Sequence, residues 1–211
     1  MMFGRRYRAD DRDKQYRLRR LNSGRARRFW RDDAWWGDQG DTPTCVGYAW
    51  AHWLANAPII QRLRAEGIYF LAKHLDEWPG ENYAGTSVRA GAKALFELGF
   101  IREYRWAWSL PLLIDTVLEL GPVVVGTNWY GGMNTPDRNG VLSVSGKLEG
   151  GHAWLINGVD VEKELFRLKQ SWGRGWGLQG RAWISFKDMR RLIREDGEIC
   201  CATEADVRHA A

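Results

Sequence analysis

The chain has 211 residues, 45% of them hydrophobic and 27% charged, with a formal net charge of +5. That length suits one large domain or two small lobes sharing an interface, with enough apolar material for a sizeable core. The absence of any apolar run near 18 residues excludes a membrane helix, a basic start with no apolar segment behind it excludes a secretory signal, and three cysteines, two of them adjacent, exclude a disulfide framework.

The sparse thiols point to a reducing compartment and hence a cytoplasmic location, in a bacterial or viral setting. Thirteen Trp residues are many for this length. Each indole brings a large apolar surface and one N–H donor, so grooves are expected as well as a core. The charge is uneven. Residues 1–31 form a basic arm with 12 Arg or Lys against 3 Asp, and the remainder carries 19 basic against 23 acidic side chains. The arm reads either as an extension, solvated or packed on the mildly acidic body, or as a contact for nucleic acid or another acidic partner.

In chain order, Pro43 and Thr44 punctuate the sequence before a helix predicted over 45–56, closed by Pro58. A second helix is expected over 67–77. Thr86 or Ser87 caps a third over 88–100, with Val88, Ala92, Leu95 and Phe96 on one side and Gly99 stopping it. Ser109 opens a fourth over 110–120, ended by Gly121 and Pro122. The period then changes. Strands are predicted over 122–129, 152–160, 165–172 and 181–186, followed by a short helix at 187–195 and a last strand around 199–202. Residues 131–150 read as a Gly-rich excursion. Helices first and strands second give an α+β class. The expected layout is the arm at 1–31 and one domain at 32–211, whose helical lobe (about 40–120) and β lobe (about 121–204) meet along a cleft.

Cys45 would stand at the first turn of the first helix, where free N–H groups and the macrodipole favour a thiolate. It reads as a nucleophile or as an inert core thiol. Of four histidines, His52 and His74 fall on helices as surface or groove residues, and His209 falls in a frayed tail. His152 follows Gly150 and Gly151 and begins a strand, so it could face the cysteine as a base or serve as a hydrogen-bonded structural residue. The Gln170 amide oxygen could accept the other ring N–H, and Trp172 could cover that contact. Gln39, with the Cys45 N–H, could stabilise an oxyanion, each donor being worth about 3 kcal/mol. No ligand spacing for a metal and no need for an organic cofactor are evident.

Three blocks, "QGDTPTCVGYAW", "GGHAWLINGVD" and "LKQSWGRGWGLQGRAWIS", together resemble the catalytic blocks of papain-like cysteine peptidases, in the same order and over residues 35–202. The resemblance implies a papain-like two-lobe fold with the site in the cleft. It also implies an endopeptidase acting on peptide or protein substrates through a Cys45 thioester. Cys45 then resembles the nucleophile, His152 the base and acid, Gln39 the oxyanion donor and Trp172 the shielding indole. Gly85 and Thr86 resemble the stretch whose backbone pairs with an extended substrate. Gly151, Ala153 and Val124 resemble groove-lining positions.

The chain departs from the family at Gln170, where an Asn is usual, and at Thr42, near an expected disulfide cysteine. Only 44 residues precede Cys45, too few for the family's long propeptide, so control comes from elsewhere or the arm is a short substitute. A peptide-binding scaffold with decayed chemistry, and a thioester-based acyl transferase or amidase, are the competing readings.

Overall fold

The computed structural model describes residues 2–204 except Glu81, and of Arg12 the backbone only. His209 lies outside the described residues. Helix α1 (Cys45–Leu54) has every residue buried, as expected of a helix that is apolar all round and sits between layers. Helices α2 (Ala65–Leu75) and α3 (Val88–Glu97) pack beside it. Ser87 begins α3 by accepting the Ala90 N–H, and Ser109 begins α4 (Leu110–Glu119) by accepting that of Leu112, each satisfying an orphan donor.

One antiparallel sheet forms the second lobe. Its strands, after β1 (Arg27–Phe29), are β2 (Ile101–Trp106), β3 (Val123–Tyr130), β4 (Leu148–Asp160), β5 (Leu165–Lys169), β6 (Arg181–Ser185) and β7 (Glu198–Glu204). They lie in the order β2-β7-β3-β4-β5-β6, with β1 paired to β4. Helix α5 (Phe186–Arg194) follows β6, capped by Ser185. The fold is α+β, with helical and antiparallel layers as the sequence implied.

Both faces of the central strands are buried. Val123 and Val125 belong to a core shared with α4 and α5, whereas Val124 points with Ala153, Leu155 and Cys200 into a core shared with α1 and α3. This is the period-2 alternation of a strand covered on two sides, which is why the run reads as continuously apolar. The buried indoles are mostly satisfied: Trp50 donates to the Val88 carbonyl (3.1 Å), Trp53 to Pro122 (3.1 Å) and Trp154 to Thr127 (3.1 Å).

Several expectations shift. The strand carrying His152 starts at Leu148, so His152 is interior to it, and β5 stops at Lys169, before Gln170. Strands β1 and β2 were not anticipated, and β2 extends the sheet into the stretch assigned to the helical lobe. Phe96 is 49% exposed, because α3, although it buries Val88–Ala92, Ala94 and Leu95, turns Phe96 and Glu97 outward. His52, expected at a surface or groove, is buried and accepts the Gly37 N–H at Nε2 (3.3 Å). His74 is exposed.

The basic arm is packed against the body along its described length. Leu18 N–H donates to the Trp106 carbonyl (3.0 Å), Arg20 pairs with Asp115 (2.5 Å), Arg25 pairs with Glu119 (3.1 Å), and β1 pairs with β4. Part of the arm's charge, on Arg5, Arg20 and Arg25, thus meets carboxylates of its own chain. A nucleic-acid partner finds no support among the described residues.

Candidate active site

Cys45 is the first residue of α1 and is fully buried. Thr44, at the cap position, makes no side-chain cap bond, so the thiol meets the helix end directly. Burial pushes the thiol pKa up, against hydrogen bonds from the backbone of Ala153, Gly4 and Val46 that pull it down. Ala153 is the residue after His152, so α1 and β4 bring the two blocks together at this point.

His152 pairs across the sheet with Thr127. Its Nε2 lies 2.8 Å from the Gln170 Oε1. An amide oxygen only accepts, so Nε2 carries the proton and Nδ1 keeps the lone pair. Nδ1 is buried without a hydrogen-bond partner. The Ser171 N–H also donates to the Gln170 Oε1 (2.9 Å), which fixes the amide's orientation. Trp172 stacks on the imidazole, centroids 5.2 Å apart at 28°, while Trp129 and Phe3 meet it edge-on at 5.0 and 5.5 Å. Burial in this aromatic box lowers the His152 pKa to about 4, against the Gln170 hydrogen bond.

Gln39 is held by the same segment. Its N–H donates to the Ser171 carbonyl (2.9 Å), and its Oε1 accepts from the Ser171 hydroxyl (2.6 Å). That leaves Nε2 donating to two carbonyl oxygens, of Thr42 (2.7 Å) and of Met2 (3.0 Å). Thr42 itself donates to the Gln39 carbonyl (2.6 Å).

Residues 2–6 of the arm fill the cleft between the lobes. The Gly4 backbone reaches the Cys45 thiol. The Arg5 N–H donates to the Gly151 carbonyl (3.0 Å), and Thr86 both donates to the Gly4 carbonyl (2.8 Å) and accepts from the Arg6 N–H (2.8 Å). Arg5 therefore pairs with Thr86 as a short parallel bridge. Gly85 has φ +83°, and its vacant Cβ position is taken by the Gly4 carbonyl, so only glycine fits there. Its own N–H goes to the Tyr69 hydroxyl (3.0 Å). The main-chain pairing comes from Thr86, and Gly85 supplies clearance.

The Arg5 side chain enters a pocket in the β lobe and pairs with Glu198 at 2.9 Å, both side chains being under 5% exposed. Gly126 forms its wall: a Cβ there would sit 2.9 Å from the Arg5 Nε and 3.1 Å from the Glu198 carboxylate. Val124, expected as a groove residue, lies instead in the core between the lobes. Alternation along β3 explains the difference, since moving two residues on, to Gly126, keeps the same face and reaches the cleft.

The structure thus gathers Cys45, His152, Gln170, Gln39, Gly85, Thr86, Gly151, Ala153 and Trp172 around one cleft. Sequence reasoning missed Glu198, Gly126, Trp129 and Ser171. Gly126 breaking the run "VVVGTNW" was the signal available for the pocket wall, whereas Glu198 carried none.

No family model and no curated relative matches the chain. Among solved structures, xylellain, a cysteine protease from Xylella fastidiosa, is similar with a TM-score of 0.79 at 19% identity, over 95% of each chain. Procathepsin L 3 of Tenebrio molitor larval midgut is similar with a TM-score of 0.66 at 15% identity, over 89% of this chain and 74% of that one. The bromelain protease from Ananas comosus is similar with a TM-score of 0.59 at 13% identity, over 80% and 92%. At these identities the likeness establishes the papain-like two-lobe fold.

Proposed function

We propose that the chain is a papain-like cysteine endopeptidase, and that the arm is its resident inhibitor. The observation that carries this is the buried His152–Gln170 pair, whose Nδ1 has no hydrogen-bond partner and whose next residue along the strand, Ala153, meets the Cys45 thiol through its backbone. Three separate sequence blocks supply the parts of one acyl-transfer site, which is how such sites are recognised: by geometry and role.

With the cleft open, a peptide carbonyl lies over Cys45. The thiol proton passes to His152 Nδ1, and the sulfur attacks the carbonyl carbon. Gln170 holds the Nε2–H and so keeps Nδ1 turned toward the sulfur. The developing oxyanion accepts from Gln39 Nε2 and from the Cys45 N–H at the helix end. His152 returns the proton to the leaving amine, then takes one from water as that water hydrolyses the thioester. Trp172, stacked on the imidazole, keeps water from competing for the His152–Gln170 hydrogen bond.

The docked arm opposes each step. The Met2 carbonyl occupies the Gln39 donor, Gly4 covers the thiol, and Phe3 completes the aromatic box. In that state the imidazole is neutral and the thiol is held protonated. The three unpaired thiols suit a reducing, cytoplasmic setting.

A thiol-reactive peptidyl epoxide tests the reading. Stoichiometric labelling of Cys45, faster after deletion of residues 2–28 and lost in His152→Ala, is the expected result. A folded, arm-deleted chain that takes no label and cleaves no peptide would leave only a binding module.

A further inference from the structure

The arm enters the cleft with two consecutive basic side chains, and each meets a separate receptor. Arg5 goes down into the pocket behind Gly126, where Glu198 accepts its Nε–H and the Asp196 carbonyl accepts from Nη2 (2.5 Å). Arg6, the next residue, points the other way, as successive residues of an extended chain must. Its guanidinium lies 4.5 Å from the Trp78 ring centroid and 4.4 Å from that of Tyr83, in the corner made by the two rings, which meet edge-on at 6.3 Å, and the Lys73 ammonium also stands over the Tyr83 ring at 3.8 Å. Both rings stand on the loop after α2, in the opposite lobe from Glu198. Arg8, further along, donates to the Glu77 carbonyl (2.9 Å).

These are two unlike ways of holding a cation. Glu198 is a deeply buried carboxylate, and an apolar occupant would leave it without a partner, a costly outcome in a dry pocket. The Trp78–Tyr83 pair is an aromatic corner whose ring faces favour a cation over an aliphatic chain, Trp78 foremost because the Lys73 ammonium shares the Tyr83 ring. Gly126 leaves room for a long side chain, where any larger residue would fill the pocket mouth.

Resting on the peptidase reading above, we propose that the substrates are peptides with two adjacent basic residues, arginine above all, close to the scissile bond. One is selected by Glu198 and the other by Trp78 and Tyr83. The arm then blocks the cleft with the same side chains that a substrate must bring.

The test uses the full chain carrying Arg5→Ala and Arg6→Ala, which empties both receptors. In one series Cys45→Ala is added, and binding of blocked fluorescent tetrapeptides centred on Arg-Arg, Leu-Leu or Glu-Glu is read by polarisation. Arg-Arg is expected to bind at least about thirtyfold more tightly than Leu-Leu, from one charge-assisted pair and one cation–π site. Glu198→Gln should cut that advantage about tenfold, and Trp78→Ala about fivefold. Equal or tighter binding of Leu-Leu overturns the proposal, as does an advantage that Glu198→Gln leaves undiminished. Should Glu198→Gln not fold, Glu-Glu binding as well as Arg-Arg overturns it equally.

In the second series Cys45 is intact and turnover is read. Binding preference without turnover of any peptide would sink the peptidase reading and keep the subsites. Turnover that favours Leu-Leu would do the reverse.

Discussion

Replacing Arg5 with Ala removes the deepest anchor of the arm. The Arg5–Glu198 pair is almost dry, at 2.9 Å. Taking one partner from such a pair typically costs about 3–5 kcal/mol, because the other charge is stranded. In a core strand that cost would fall on global stability. Here it falls on a short segment whose remaining hydrogen bonds are three backbone ones, to Gly151 and twice to Thr86, the Gln39–Met2 contact and the Gly4 contact with the Cys45 thiol. At about 1 kcal/mol net for each such bond, the segment is held by about as much as stranding the carboxylate costs. The arm should therefore lift off and let water reach Glu198, with the body staying folded. A shift of about 3 kcal/mol raises the open population, and with it the alkylation rate of Cys45, by about a hundredfold.

The assay is iodoacetamide labelling under native conditions, followed by mass mapping of the three thiols. Cys200 and Cys201, buried in β7, act as internal reporters of the body. Cys45 alone should accelerate in Arg5→Ala, and much less in Arg5→Lys. A Cys45 rate within about threefold of the parent would refute the anchoring argument, and so would all three thiols reacting together.

Gln170→Ala should lower kcat by about a hundredfold in the arm-deleted chain by freeing the imidazole to turn, an effect of general-base size, while Gln170→Asn should retain or raise activity; pre-steady-state acylation of an ester substrate reads both. Burial raises the Glu198 pKa to about 7 with Arg5 beside it, Arg89 lowering it and Asp13 raising it further. The carboxylate is charged above that value, so the preference for Arg-Arg over Leu-Leu peptides should strengthen as pH rises from 6 to 8 and vanish as a pH effect in Glu198→Gln, as seen in ratios of kcat/KM. Phe3→Ala should open the aromatic box around His152; quenching of Trp172 and Trp129 fluorescence by acrylamide should rise, and an unchanged quenching constant would contradict the packing role given to Phe3.

The helices were legible because their signals are local. Ser87 and Ser109 sit where caps were expected, and Gly121 with Pro122 ends α4 close to where the sequence stops it. Strands β1 and β2 were not legible, since "RRF" and "IREYRW" owe their conformation to partners about 130 and 100 residues away. The same divide runs through the site. Cys45, His152, Gln39 and Gln170 carry chemistry recognisable by type and order. The pocket wall was misplaced by two residues along one strand face, to Val124 in place of Gly126, because how far along β3 the core gives way to the cleft depends on the partner strands and the opposing lobe. Glu198 was invisible for a different reason: a lone acidic residue before "ICC" gains meaning only when Arg5, 193 positions earlier, is laid against it.

From residue 10 onward the arm stays stitched to the body, first through Asp10 and Asp13 on Arg89 and then through Leu18, the Asp115 and Glu119 pairs and β1. A lifted N-terminus is therefore never diluted into the solvent. It returns to the groove from a leash of only the residues between Arg6 and Asp10, at a local concentration in at least the millimolar range. A freely diffusing peptide must outcompete that standing occupant, so a single backbone cut within the leash would unmask the groove in a way that no modest rise in substrate level could match.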